Sequence, residues 1–416
     1  MEYLYVIIFL VLLFTFAYIK IRYPFWNIQP VYHYYDLYVP LLRVPYVVYK
    51  YYPLITKFCD FTNVKTFSFL DLSEEQLAVL TNLIQCYTIP NEKILYIISE
   101  ENLRTYLTGQ TRPSWVSFYK DFEYRELTDP SGNTNAYIDS QSSKMITEYK
   151  GCITSRYIKL YYQDTEWEAY YIDYLAVHRS YNDATINRKL LQTHEYLCQV
   201  LQPAIKISIL RKEIHLYEGV VPLVEFSTAV YDLNTMFPEN MRLPKLPPHF
   251  TVQRIFKENL EILTNFFHKM ENKTTPFTLL MISEIGNIMA LIKRELLYVY
   301  CLKRREQVYA IYFVKDERIQ YDEFVDAGTL NAIASYHNSQ YPKLFALGFV
   351  HTMKIIKRFK GGFNTLLMDN IGHNLLVSDL WKKRYTPIIE NKTAYYSYNF
   401  VVPRSPILKE TAFVLL

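Results

Sequence analysis

Residues 3–19, YLYVIIFLVLLFTFAYI, are 17 positions without a charge. At about 1.5 Å per residue, a helix of that length spans roughly 25 Å, close to the thickness of a bilayer core. Glu2 precedes the run, and Lys20 and Arg22 follow it. Basic residues favour the cytosolic side, so the pattern predicts one N-terminal membrane anchor with the body of the chain in the cytosol. A cleaved signal peptide is the rival reading. It wants a basic start and small residues before the cut, and Phe16-Ala17-Tyr18-Ile19 offers no small-x-small site.

Beyond the anchor the pattern changes. Residues 23–52 mix tyrosine and proline and read as extended chain wrapped on a surface. Helical periodicity at 72–83, entered through Ser73-Glu74-Glu75, predicts a capped helix, and a second helix is expected at 100–108. Residues 129–143 are polar and turn-rich, hence a loop. Residues 153–162 and 168–177 are β-branched and aromatic, partly alternating, and read as strands; 184–201 reads as a helix. Pro238, Pro244, Pro247 and Pro248 mark 236–249 as a linker. The second half predicts a helix at 258–270, strands at 295–301 and 308–314, a helix at 342–359, and strands at 364–368 and 394–401. The last residues, TAFVLL at 411–416, stay apolar to the end. Both halves run helices, strands, a long helix, then strands. A duplicated α+β unit is the expected fold.

Composition narrows the chemistry. The chain has 416 residues, 50% of them hydrophobic, which excludes a disordered or collagen-like chain. Only 10 residues are glycine, and neither G-x-G-x-x-G nor G-x-x-x-x-G-K-[ST] occurs, so dinucleotide and P-loop readings fail. Net charge is 45 − 41 = +4, with no basic stripe or reading motif, so no nucleic-acid partner is expected. Five scattered cysteines without a C-x-x-C pair fit a reducing compartment rather than a disulfide framework or a zinc site. His194-Glu195-x-x-Cys198 lacks the second histidine of a zincin motif, and G-x-S-x-G is absent. No metal site is expected.

Several short motifs carry a family resemblance. Phe25-Trp26-Asn27-Ile28-Gln29-Pro30-Val31 resembles the F-W-x-x-Q-P-V opening of glycylpeptide N-tetradecanoyltransferases (N-myristoyltransferases). Asp173-Tyr174-Leu175-Ala176-Val177-His178 resembles their N-F-L-C-V-H strand. Lys360-Gly361 followed by Asp369, then Tyr396-Ser397-Tyr398-Asn399-Phe400 with Pro403, and the apolar end, resemble later family motifs in family order. The matches run from Phe25 to Leu416.

The resemblance implies an α+β fold of tandem GNAT-like (acyl-CoA N-acyltransferase) domains, which the hydrophobic run at 3–19 precedes with one transmembrane helix. The expected divisions are 1–22 for the anchor, 23–237 for the acyl-CoA-binding domain, 238–250 for the linker and 251–416 for the second domain. It also implies the reaction: transfer of a myristoyl group from myristoyl-CoA to the N-terminal glycine of a protein. Backbone N–H groups of Tyr174 and Leu175 then hold the oxyanion, and the α-carboxylate of Leu416 is the base, its pKa raised by a dry pocket. Phe25, Trp26, Ala176, Val177 and Arg179 are implied to hold the acyl-CoA. Asp173, Asp369 and Gly219 are implied to flank the peptide.

The chain also departs from the family. The basic loop after the V-H strand, which holds the CoA pyrophosphate in the family, is here Arg179-Ser180-Tyr181-Asn182-Asp183, with an acidic residue where phosphates would lie. The segment 225–234 lacks the family's Tyr and His, and 389–391 lacks its glycines. Two function classes therefore remain: an active acyltransferase, or an inactive homologue serving as a membrane-tethered scaffold or lipid- or peptide-binding protein.

Overall fold

A computed structural model describes residues 2–88, 94–126, 143–179, 183–238, 240–271, 276–321, 327–338, 341–360 and 362–416. The loop expected at 129–143 lies, but for its last residue, outside them. The apolar run forms the helix Glu2–Arg22, which none of the body covers. It is long and apolar enough to cross a membrane.

The body is built on one 14-stranded sheet. In its first half, Val64–Ser68, Trp115–Glu126, Ser143–Tyr162 and Thr165–Val177 succeed one another antiparallel. The helix Asp183–Leu201 then crosses over to Ile207–Glu213, which lies parallel to Thr165–Val177. A parallel neighbour cannot be reached by a tight turn, so the helix supplies the crossover. The second half repeats this order. Phe250–Ile255, Leu297–Arg304, Gln307–Asp316 and Gly328–His337 run antiparallel, and the helix Pro342–Lys360 crosses to the parallel Phe363–Asp369. The duplication read from the sequence is thus present as topology.

Each half of the sheet is completed by a strand from the other half of the chain. Ile389–Tyr398 pairs with Ile207–Glu213, Val224–Asp232 pairs with Phe363–Asp369, and these two visitors pair with each other at the centre. At the first half's edge, Leu279–Ser283 pairs with Ser143–Tyr162 and carries the last strand, Ala412–Leu415, parallel to itself.

Local chemistry explains the helix starts. Ser73 caps Glu74–Tyr87 in a reciprocal capping box with Gln76, so that helix begins at the expected cap but runs four residues past the predicted end at 83. The helix expected at 258–270 is Glu261–Glu271, because Lys257–Asn259 folds first as a short 3₁₀ turn. The proline-rich segment expected at 236–249 is tied to the helix Pro342–Lys360. His351 Nε2 meets the Pro244 carbonyl (2.9 Å), and Lys357 donates to the Phe237 carbonyl (3.0 Å). Tyrosine fills much of the core: Tyr170, Tyr231, Tyr312, Tyr396 and Tyr398 are fully buried. Their hydroxyls need partners there. Tyr312 donates to the Phe345 carbonyl (2.7 Å), and Tyr398 to Gln29 Oε1 (2.8 Å).

Candidate active site

The strand Thr165–Val177 is regular up to Asp173, which lies opposite Thr154. The next ladder pair is Ala176 with Cys152, so Tyr174 and Leu175 together face Ile153. This is a β-bulge, and Tyr174 takes φ +49° to make it. A non-glycine residue in the left-handed region costs free energy, and such residues concentrate at functional sites.

The bulge sends neighbouring side chains to two clusters. Leu175 and Val177 join Phe25, Trp26, Ile186 and Leu190 beside the start of the helix Asp183–Leu201. Phe25 is buried, with its ring 5.0 Å from those of Trp26 and Phe58, and the Trp26 ring lies 4.3 Å from that of Tyr217, tilted by 46°. Tyr174 and Ala176 join the other cluster, which holds Phe413 and Leu415 of the last strand. Arg179, two residues past the strand, is exposed. Ser180, Tyr181 and Asn182, the centre of the expected phosphate loop, lie outside the described residues, as does the side chain of Asp183.

Asp173 holds the bulge from within. Its Oδ1 accepts the N–H of Tyr174 (2.9 Å), and its Oδ2 accepts the hydroxyl of Tyr106 (2.7 Å). One of the two backbone donors expected for an oxyanion is therefore engaged by a carboxylate. Beside it lies Arg156, fully buried, its guanidinium 4.4 Å from the Tyr106 ring centre and 5.5 Å from that of Tyr171. Arg156 Nη1 donates to Ser283 Oγ (2.5 Å), while Nε and Nη2 meet no acceptor among the described residues. The register Ile282 with Leu415 brings Leu416, one position on, to the level of Ser283. Burial drives the Tyr106 and Tyr174 hydroxyl pKa values well above the ordinary range, and Asp173 adds to it. Both phenols stay neutral.

The second half contributes Lys315 and Glu317. Lys315 Nζ lies 4.9 Å over the Tyr106 ring and 3.3 Å from Glu317 Oε2, and Asn331 Nδ2 donates to Glu317 Oε1 (2.7 Å). Burial pushes Glu317 upward, but Lys315 and that hydrogen bond outweigh it and hold its pKa below the usual value.

Asp369 ends the strand Phe363–Asp369, buried. Arg211 grips it through two bonds, Nη1 to Oδ2 at 2.7 Å and Nη2 to Oδ1 at 3.0 Å, and Thr228 Oγ1 donates to Oδ1 (2.8 Å). Burial opposes the Arg211 charge, yet Asp369 and Glu213 hold its pKa well above normal. The paired geometry is that of a strong charge-assisted contact. Gly219 is not among these groups. It takes φ +79° against the ring of Tyr23, beside the foot of the N-terminal helix.

Sequence reasoning missed Arg156, Tyr106, Arg211 and Ser283. For Arg156 alternation gave no signal: it has the parity of Ile158 and Leu160, but residues 151–158 are buried on both faces of the sheet. The His194-Glu195-x-x-Cys198 set is buried helix face. His194 lies between Ser117 Oγ (2.7 Å) and Cys198 Sγ (3.5 Å), its pKa pulled to about 3 by burial.

Two halves of like topology sharing one sheet, with a bulged strand beside a crossover helix, define a tandem α+β fold. The particular fold is that of N-myristoyltransferase. Saccharomyces cerevisiae N-myristoyltransferase with bound myristoyl-CoA matches at TM-score 0.66, covering 94% of this chain and 99% of that one at 12% identity. A second structure of the yeast enzyme with myristoyl-CoA matches at TM-score 0.68, covering 95% and 94% at 12% identity. A third, which also holds inhibitors, matches at 0.66, covering 92% and 91% at 12% identity. No family model matches the sequence, and no curated protein does.

Proposed function

We propose that this protein is a membrane-anchored acyltransferase of the N-myristoyltransferase kind, moving a myristoyl group from myristoyl-CoA to an N-terminal glycine. The observation that carries the reading is the Tyr174–Leu175 bulge. It lies between the cluster of Phe25 and Trp26 and the cluster of the last strand, in a chain that shares the fold of enzymes holding myristoyl-CoA. In this reading the amine nitrogen attacks the thioester carbonyl, a C–N bond forms, and the carbonyl electrons move to oxygen. The Tyr174 and Leu175 N–H groups stabilise that oxyanion; one such donor elsewhere contributes about 3–4 kcal/mol. Collapse expels the CoA thiolate. The Leu416 carboxylate takes the amine proton, whose reference pKa is about 8. Phe25, Trp26, Ala176, Val177 and Arg179 line the donor side. The helix Tyr3–Arg22 spans the membrane with the body on the cytosolic side. There the enzyme meets products that one myristoyl chain holds only marginally to a bilayer.

The test titrates the full chain in detergent with myristoyl-CoA and with free CoA, then follows thiol release on addition of a peptide with N-terminal glycine. Absence of saturable binding sinks the reading. Appending one residue after Leu416 abolishes transfer if its carboxylate is the base, and unchanged turnover removes it from the mechanism. Deleting residues 3–19 moves the protein to the soluble fraction if the helix is the anchor.

A second reading has its own observation. The Asp173 carboxylate on the Tyr174 N–H, together with Arg211 on Asp369, suits an inactive homologue that keeps the scaffold to bind lipid or peptide. Saturable binding of myristoyl-CoA with no CoA release to any N-terminal-glycine peptide separates it from the enzyme.

A further inference from the structure

Directly after the anchor, the chain exposes more apolar surface than a solvated loop needs. Tyr34 is 63% exposed, Leu37 81%, Tyr38 59%, Leu41 82% and Val44 69%. The exposure is built in. Val39, between them, is fully buried against Tyr32, Val221 and Val401 and clamps the segment to the body. With Val39 turned inward on the short 3₁₀ helix Val39–Leu41, its apolar neighbours Tyr38 and Leu41 are left uncovered. Contiguous apolar surface of this kind marks an interaction site.

Two further observations say what covers it. The segment is continuous with the foot of the helix: Arg22 pairs with Glu218 (2.7 Å), the Tyr23 ring lies against Gly219, and the Tyr34 N–H donates to the Gly219 carbonyl (3.3 Å). The residues Glu218 and Gly219 thus touch both the helix foot and the start of the exposed segment. The charges also fit. Lys20 and Arg43 are the Lys and Arg residues of 20–45 besides Arg22, whose charge Glu218 meets. The acidic Asp36 is turned back on His33, accepting its N–H at 2.9 Å and lying 3.2 Å from its ring Nδ1. Tyrosine and leucine flanked by basic residues at the end of a spanning helix is the composition of a membrane interface, where anionic headgroups attract Lys and Arg.

We propose that residues 34–44 lie in the headgroup layer of the leaflet from which the helix emerges, as a second, interfacial contact with an anionic bilayer. This rests on the reading of Tyr3–Arg22 as a membrane span. One spanning helix alone leaves the body free to swivel; a second contact fixes its orientation and sets Phe25 and Trp26, three and four residues past the helix, at a constant height above the lipid.

The test uses the full chain in nanodiscs of phosphatidylcholine and phosphatidylserine. Cys59 and Cys86 are replaced by Ser, and a nitroxide is placed on a single new cysteine at position 10, 37, 41, 44, 70 or 359. Collisions with oxygen, which partitions into lipid, are compared with collisions with a water-soluble nickel chelate. Labels at 37, 41 and 44 lose nickel collisions and gain oxygen collisions relative to those at Leu70 and Phe359, which are 75% and 77% exposed elsewhere on the body. Labels at 37 and 41 as open to nickel as the one at 70 overturn the proposal. If position 10 is then deeply shielded, only the interfacial contact has failed; if position 10 is also open, the anchor reading has failed with it.

Discussion

Asp173→Asn is the most informative single change, because Asp173 decides what the bulge can do. Its carboxylate accepts the Tyr174 N–H at 2.9 Å, so an oxyanion drawn to the same donor meets a like charge. Two oxygens sharing one N–H stand about 4 Å apart, which costs ~4 kcal/mol at an effective dielectric near 20. At about 1.4 kcal/mol per tenfold, that is up to roughly a thousandfold in rate. Asparagine keeps the shape and an acceptor while removing the charge. The Tyr106 hydroxyl, which now donates to Oδ2 at 2.7 Å, rotates to accept from the new amide. Exchanging a charged hydrogen bond for a neutral one costs ~1 kcal/mol of stability. The assay is single-turnover transfer from myristoyl-CoA to a glycine-terminated peptide, with myristoyl-CoA affinity measured separately. The expected result is faster transfer at unchanged donor affinity. A folded variant that binds myristoyl-CoA as before and transfers no faster refutes the electrostatic argument.

Three other perturbations follow from the same interior. Asp369→Ala strands Arg211 without its partner and destabilises by ~3–5 kcal/mol in chemical denaturation, whereas Asp369→Leu with Arg211→Met recovers most of the loss. Arg156→Met removes a fully buried cation whose Nε and Nη2 lack acceptors, and is neutral to stabilising in the same assay; a loss above ~2 kcal/mol would mean that those nitrogens are bonded in solution. Glu195 is buried, bonded by Ser208 Oγ (2.9 Å), and pushed up by burial to a pKa of about 8. An acid with a raised folded pKa binds a proton on folding, so its contribution is complete below its unfolded pKa and is lost as pH rises through 8. Glu195→Gln flattens the fall in stability between pH 5 and 8, and an unchanged slope shows that Glu195 is ionised in the fold.

What the sequence determined by itself is what neighbouring residues decide. The uncharged run at 3–19 makes a helix without help, Ser73 and Gln76 close their own capping box, and alternation at 153–162 and 168–177 marks strands whose inward faces need burial. The motifs from Phe25 to the apolar end were legible because each is short and their order is linear; together they pointed to the fold that the coordinates show. Tertiary structure alone decided which groups meet. Arg211 and Asp369 are 158 residues apart, Tyr106 and Asp173 67 apart, and Arg156 and Ser283 127 apart. No local pattern encodes such pairs, because they depend on strand order and register, and on a central exchange in which each half of the chain lends a strand to the other. Sequence placed Tyr174 and Leu175 on the strand Thr165–Val177 and put Asp173 where the family motif has Asn. Only the bulge, which turns the Tyr174 N–H onto its neighbour's carboxylate, revealed that this residue engages one of the two proposed oxyanion donors.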